Sequence, residues 1–268
     1  MSKLIICNWK MNGDVQLVDS FIRLLSKPPE SELLLGDTEQ RSGVYSDVHE
    51  HSSTGSTQEE TDCGGLVERS ISGIRSESLI IALPSTFILY AHSAGANFQI
   101  AAQDCSVYSG FGAYTGELSA DMLLGAGVKY VILGHSERRS RFDSVPTIYE
   151  KLVNVVRLNM MAILCVSEDY ESQIDTYTEM LIRDHLNNIV LAYEPVSAIG
   201  TGHVPHPHEI QQTVVRLQRQ YGNPRIVYGG SVTSANAGQI LGIDEIAGLL
   251  IGGASLNLNE VVTILKLL

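Results

Sequence analysis

The chain is short of positive charge, of cysteine and of long apolar runs, and each shortage closes a route. Eighteen Lys and Arg stand against thirty Asp and Glu, a formal net charge of −12. Affinity for nucleic acid comes from Lys and Arg on phosphates, so that class of partner is excluded. The same deficit argues against an anionic membrane surface. The four cysteines, Cys7, Cys63, Cys105 and Cys165, never occur two residues apart. Neither a zinc cluster nor a disulfide framework is therefore expected. No apolar stretch approaches the ~18 residues of a membrane span. Met1-Ser2-Lys3 runs straight into a short apolar segment rather than a secretory leader, so the expected location is the cytoplasm.

What is present is a repeating pattern. Eight short runs rich in β-branched and other apolar residues occupy residues 4–7, 79–83, 98–102, 130–133, 162–166, 189–192, 225–228 and 249–251. Their continuous apolar character suits strands buried on both faces, as in a parallel sheet. Amphipathic stretches at 15–26, 147–158, 173–186, 208–221 and 258–267 read as helices. Asn12-Gly13-Asp14, Ser119 and Pro207 serve as openers and Gly222-Asn223-Pro224 as a stop. Alternating strands and helices imply a parallel sheet with right-handed crossovers. Eight repeats favour an α/β chain closed into a (β/α)8 barrel over its competitor, an open doubly wound sheet. Hydrophobic residues, at 44%, supply one large core, so residues 1–268 are expected to form a single domain.

Residues 28–78 break the pattern. They hold eleven Asp or Glu, three Arg, ten Ser and six Gly, and thus −8 of the net −12. Such a composition buries too little apolar area to offset the entropy of ordering. The segment reads as a disordered insertion on the barrel face opposite the one that carries active sites.

The chemically informative residues stand just after strands. Asn8 and Lys10 follow strand one and point the same way, because strand side chains alternate. His135 follows strand four at a helix start, a place that disfavours the imidazolium. Glu194 ends strand six and is followed by small, Gly-containing residues that suit a lid. Gly229-Gly230-Ser231 and Gly252-Gly253 follow strands seven and eight. There, bare backbone can bring N–H groups close to an anion.

Together these stretches resemble the triosephosphate isomerase family. The matching motifs are Asn-Trp-Lys-Met-Asn-Gly at 8–13, Gly-His-Ser-Glu-Arg-Arg at 134–139, Tyr-Glu-Pro-Val at 193–196 and Ala-Ile-Gly-Thr-Gly at 198–202. Tyr-Gly-Gly-Ser-Val at 228–232 and Gly-Gly-Ala-Ser-Leu at 252–256 complete the set, with Ala-Ala-Gln-Asp at 101–104 and Tyr-Thr-Gly-Glu at 114–117. The resemblance implies a TIM barrel that interconverts dihydroxyacetone phosphate and D-glyceraldehyde 3-phosphate in glycolysis and gluconeogenesis. It implies no cofactor and no metal. By the same resemblance Glu194 is the proton-transfer base, His135 the neutral electrophile and Lys10 the cation that stabilises negative charge. Asn8 and Lys10 help bind substrate. Gly200, Ser231, Gly252 and Gly253 hold the phosphate through backbone N–H groups, and Ser136 and Glu137 support the site. A homodimer is implied too, with Thr115, in the loop from Asp104 to Glu117, reaching the partner.

The chain departs from the family pattern at several places. Ser197 stands where Trp is usual, His203 where Lys is usual and Asp104 where Asn is usual. The span from Cys165 to Glu194 is short, and the acidic insertion is extra. These departures touch the lid, the dimer and stability rather than a reacting group. Two other readings compete. A sugar-phosphate aldolase or aminoaldose isomerase shares the Gly-Gly loops, but the aldolase wants a Schiff-base Lys that strand six lacks. A scaffold protein has no reason to keep Lys10, His135 and Glu194 together.

Overall fold

The structure is a computed structural model that describes residues 2–25, 76–168, 174–198 and 201–268. Its strands are β1 (Leu4–Asn8), β2 (Leu79–Leu83), β3 (Gln99–Ala102), β4 (Tyr130–Leu133), β5 (Met161–Val166), β6 (Ile189–Tyr193), β7 (Arg225–Gly229) and β8 (Ile246–Ile251). All pair in parallel in sequence order, and β8 returns to β1 with Leu249 opposite Ile5, closing the barrel.

Strand alternation divides the apolar residues into two layers. Leu4 and Ile6 point into the barrel, where they join an inner cluster with Ile80, Ile132, Ile163 and Val227. Ile5, Cys7 and Trp9 point outward into the layer between strands and helices. Both layers are dry, which is why the strands read as unbroken apolar runs. Truncating an inner residue such as Ile132 to Ala should cost about 2–5 kcal/mol, because neighbours around a closed ring relax little.

The helices are α1 (Val15–Leu25), α2 (Ser85–Ser93), α3 (Ala120–Gly125), the single turn α4 (Ser136–Arg139), α5 (Val145–Val156), α6 (Thr176–Asp184), α7 (Pro207–Tyr221), α8 (Ser234–Leu241) and α9 (Leu258–Leu265). Side-chain oxygens open several of them. Asp14 accepts from Leu17 N, Ser119 from Met122 N, Ser144 from Thr147 N and Asp175 from Thr178 N. Each satisfies an N–H that has no partner within its helix. At the other end, α7 stops on Gly222, whose φ of 82° is the left-handed conformation that glycine tolerates.

Some expectations need correction. Two helices, α2 and α8, are not foreseen by the sequence, and of α3 the sequence marks only its opener, Ser119, which caps it. Only Ile88 and Ala91 of α2 are buried, while Leu89 and Tyr90 face outward, so the sequence stripe is blurred. Helix α5 begins two residues before the expected 147, because Ser144 caps it and Pro146 suits the first turn. Residues 76–78 are not part of a disordered insertion. They form a 3₁₀ turn feeding β2, with Ser78 buried. The rest of that segment, 28–75 with Cys63, lies outside the described residues.

Candidate active site

Because all strands run one way, their C-terminal ends share a rim. A cavity of about 380 Å³ opens there, lined by Asn8, Lys10, His135, Glu194, Ser231, Gly252 and Gly253 among others. Seven expected site residues from five strand ends thus face one space. Gly200, the eighth expected around it, lies outside the described residues.

His135 follows β4 and caps the short α4. Its Nδ1 accepts the Glu137 backbone N–H at 3.3 Å. A nitrogen that accepts leaves its ring proton for Nε2, the arrangement that suits a donor aimed into the cavity. Nε2 faces Glu194, 3.4 Å from Oε1.

Glu194 is held at its backbone, where its N–H donates to Val166 O at 2.8 Å. Its side chain is buried, and Oε2 has no hydrogen-bond partner among the described residues. A buried carboxylate oxygen at the cavity can accept a proton from a group placed within hydrogen-bond reach. Space for it is provided by Gly229, where a Cβ would sit 3.1 Å from Glu194 Cγ and 3.3 Å from Leu250 Cβ. Cys165 lies beneath, inside the barrel. Burial, the nearby Glu194 charge and a hydrogen bond to that carboxylate hold the Cys165 thiol well above its ordinary pKa, so it stays a neutral donor.

Lys10 leaves β1 with φ of 55°, a left-handed conformation that costs a non-glycine residue about 1–3 kcal/mol. Three contacts sustain it. The Lys10 N–H donates to Asn8 Oδ1 at 3.1 Å. Gln103 Nε2 donates to Lys10 O at 2.8 Å and to Ala82 O at 2.9 Å. Lys10 Nζ donates to Glu137 Oε1 at 2.6 Å. Burial pushes the Glu137 carboxyl up, but the hydrogen bond and charge of Lys10 outweigh it and hold the group below its ordinary pKa. The pair is partly exposed, so its worth in stability is about 0–1 kcal/mol. Its effect is on where the ammonium sits.

The other side of the cavity is backbone. Ser231 has φ of 46°. Its hydroxyl donates to Ala198 O at 2.7 Å and accepts Gly202 N–H at 3.1 Å, tying β7 to both described ends of the segment after β6. Gly230 has room for no side chain, since a Cβ would lie 2.9 Å from Ala198 Cβ. Gly252 precedes a 3₁₀ turn, Gly253–Leu256, whose first residues line the cavity.

The supporting residues divide. Glu137 does hold Lys10, whereas the buried Ser136 hydroxyl has no partner among the described residues. Glu137 and Arg138 do not pair with each other. Arg138 Nε lies 2.9 Å from Asp104 Oδ2 and 2.8 Å from Asp143 Oδ2, and Lys151 bridges the same two carboxylates. Asp104 thus adds a charge that two cations meet. Thr115 lies in the exposed loop after β3, where Tyr108 and Tyr114 stack at 3.6 Å. The sequence assigns no role to Gln103 or Asn236, and it reads Gly229 as an anion-binding glycine where the structure sets it against Glu194 Cγ. Their parts depend on which carbonyl or side chain lies opposite, and no spacing reveals that. Among the described residues, no group of three His, Cys, Asp or Glu side chains is placed to hold a metal ion, and no helix is long and apolar enough to cross a membrane.

Comparison with known proteins agrees with this geometry. A family model described as triosephosphate isomerase matches residues 55–268. The triosephosphate isomerase of Buchnera aphidicola subsp. Schizaphis graminum is 32% identical, over 99% of this chain and 97% of its own. That of Wolbachia pipientis wMel is 31% identical, over 99% and 94%. That of Chloroherpeton thalassium is 40% identical, over 63% and 75%.

Proposed function

The chain belongs to the triosephosphate isomerase family, and we propose how its residues divide the isomerisation of dihydroxyacetone phosphate and D-glyceraldehyde 3-phosphate between them. Glu194 takes a proton from the carbon beside the carbonyl and returns it to the neighbouring carbon. As the C–H bond breaks, its electron pair forms a carbon–carbon double bond and the carbonyl oxygen becomes an oxyanion. The His135 Nε2–H and the Lys10 ammonium stabilise that charge where it develops. That oxygen takes a proton from His135 Nε2, which takes one in turn from the neighbouring hydroxyl, so that the second oxygen becomes the new carbonyl when the proton returns to carbon. Asn8 orients substrate and Lys10. Backbone N–H groups of Ser231, Gly252 and Gly253, with Gly200, grip the phosphate. Ser136 and Glu137 support the carbonyl end. The residues after β6 close over the intermediate, which would otherwise lose its phosphate to water.

The observation that supports this reading is the buried Glu194 carboxylate, whose Oε2 has no partner among the described residues and whose Oε1 lies 3.4 Å from His135 Nε2. A coupled assay on glyceraldehyde 3-phosphate without added metal should give turnover. Glu194→Asp, which withdraws the carboxylate by one carbon–carbon bond, should lower kcat by about 10²-fold or more. Near-normal kcat would remove Glu194 as the base.

A homodimer and a cytoplasmic location belong to the same proposal. Support for the dimer is the apolar rim beside the site. Met11 is 96% exposed and Phe111 84% exposed, with Tyr108, Tyr114 and Phe142 also uncovered. Large uncovered apolar groups of this kind mark contact surfaces. The residues 1–268 are taken as one catalytic domain.

A further inference from the structure

The phosphate side of the cavity depends on a loop that should not hold its shape unaided. Between β7 and α8 the chain passes through Ser231, a non-glycine residue at φ 46°. The side chain of Ser231 is fully engaged with Ala198 and Gly202. Its backbone carbonyl needs a separate partner, and Asn236 supplies it. Asn236 Nδ2 donates to Ser231 O at 3.0 Å, and Asn236 Oδ1 accepts the Thr233 N–H at 2.9 Å. One carboxamide therefore spans both ends of the turn. Asn236 is also at the third position of α8, where it completes a capping box with Thr233. It lines the same cavity as Ser231, Gly252 and Gly253.

We infer that Asn236 is a positioning residue for the phosphate: it sets the Ser231–Thr233 turn so that the Ser231 N–H faces the ligand, and it leaves the proton transfer at the other end untouched. This rests on the reading of that wall as the phosphate grip. The physical reason is preorganisation. A strained turn held open before the ligand arrives spends no binding free energy on rearrangement. Without the carboxamide the Ser231 carbonyl loses its partner, and the residue relaxes toward negative φ, swinging its N–H away.

The test uses the full chain with three probes: glyceraldehyde 3-phosphate, phosphate-free glyceraldehyde, and inorganic phosphate as a competitive inhibitor. Asn236→Ala should raise KM for glyceraldehyde 3-phosphate and Ki for inorganic phosphate together, by about tenfold, the fold-change that ~1.4 kcal/mol of lost binding gives. kcat/KM on glyceraldehyde should change less than about twofold, within the scatter of a fraction of a kcal/mol. Asn236→Ser, a milder change, should shift the same constants in the same direction by less. An unchanged Ki and KM in a folded variant would overturn the proposal. So would an equal loss on phosphate-free glyceraldehyde, or failure of both variants to fold, since either would make Asn236 a general scaffold residue. If the parent protein itself is not inhibited by inorganic phosphate while still isomerising glyceraldehyde 3-phosphate, the assignment of that wall to phosphate falls first and takes this inference with it.

Discussion

The two walls of the cavity are made of different material. Toward β1, β4 and β6 stand side chains, each fixed by a partner: His135 by the Glu137 N–H, Lys10 by Glu137 and Gln103, Glu194 by its backbone bond to Val166. Toward β7 and β8 the wall is backbone, shaped by Gly230, Gly252 and Gly253 and by a strained Ser231. In the proposed reaction the first wall handles charge that appears during turnover, and the second meets charge the ligand already carries. One substitution can therefore delete a function from the first wall, whereas the second fails only when its loops change shape.

Substitutions should separate the walls by a simple readout: first-wall variants change kcat, and Ki for inorganic phosphate stays put. The largest effect in this set is expected for His135→Gln, which removes the Nε2–H aimed at the developing oxyanion. kcat should fall by about 10²–10³-fold. A comparable rise in phosphate Ki would show that the two walls are not independent. Gly229→Ala comes next. It places a methyl 3.1 Å from Glu194 Cγ with Leu250 behind it, so the carboxylate must move by tenths of an ångström. Misplacement of ~1 Å costs about 10²-fold, so a smaller shift should cost about tenfold in kcat. Unchanged kcat would mean that Glu194 has slack.

The smallest effect is expected for Glu137→Gln, which loosens Lys10 without removing it. kcat should fall by about tenfold or less, because the ammonium itself remains. Its pH signature has a definite sign. Folded Glu137 titrates below its ordinary value of 4.5, chiefly because Lys10 outweighs the upward push of burial. Its contribution to stability is therefore present above about pH 4.5 and is lost as pH falls through the lower, folded value. Thermal melts between about pH 5 and 3 should fall slightly more steeply for the parent than for Glu137→Gln, by less than the ~1 kcal/mol of an exposed pair. Identical slopes would mean that the Lys10 contact is too weak to matter.

How much of this was legible in the sequence follows from the same division. The strands were legible because both barrel layers are apolar, and errors were confined to ends such as 246–248, where Gly248 interrupts the run ahead of Leu249. Lys10, His135 and Glu194 stood out by their places after apolar strands, but each alone fits an ordinary structural residue, and the roles proposed for them come from the resemblance; what the structure adds is that all three line one cavity. The Gly-Gly pairs were legible as places where backbone must approach something. Helices α2 and α8 were not, being short and only partly covered, and of α3 only the opening Ser119 was. Gln103 and Asn236 were missed because both act by donating to a specific backbone carbonyl, and that pairing exists only after the rim is assembled. Cys165 was read only as a cysteine without a pair, although its thiol lies under Glu194.

Proton abstraction by Glu194 can be watched apart from turnover. In deuterium oxide the parent protein should wash deuterium from solvent into the carbon-bound position next to the carbonyl, followed by proton NMR on the two triose phosphates. Glu194→Gln keeps the shape but cannot accept the proton, so its deuterium uptake should fall by about 10²–10⁴-fold. Undiminished uptake by a folded Glu194→Gln protein would show that another group takes the proton.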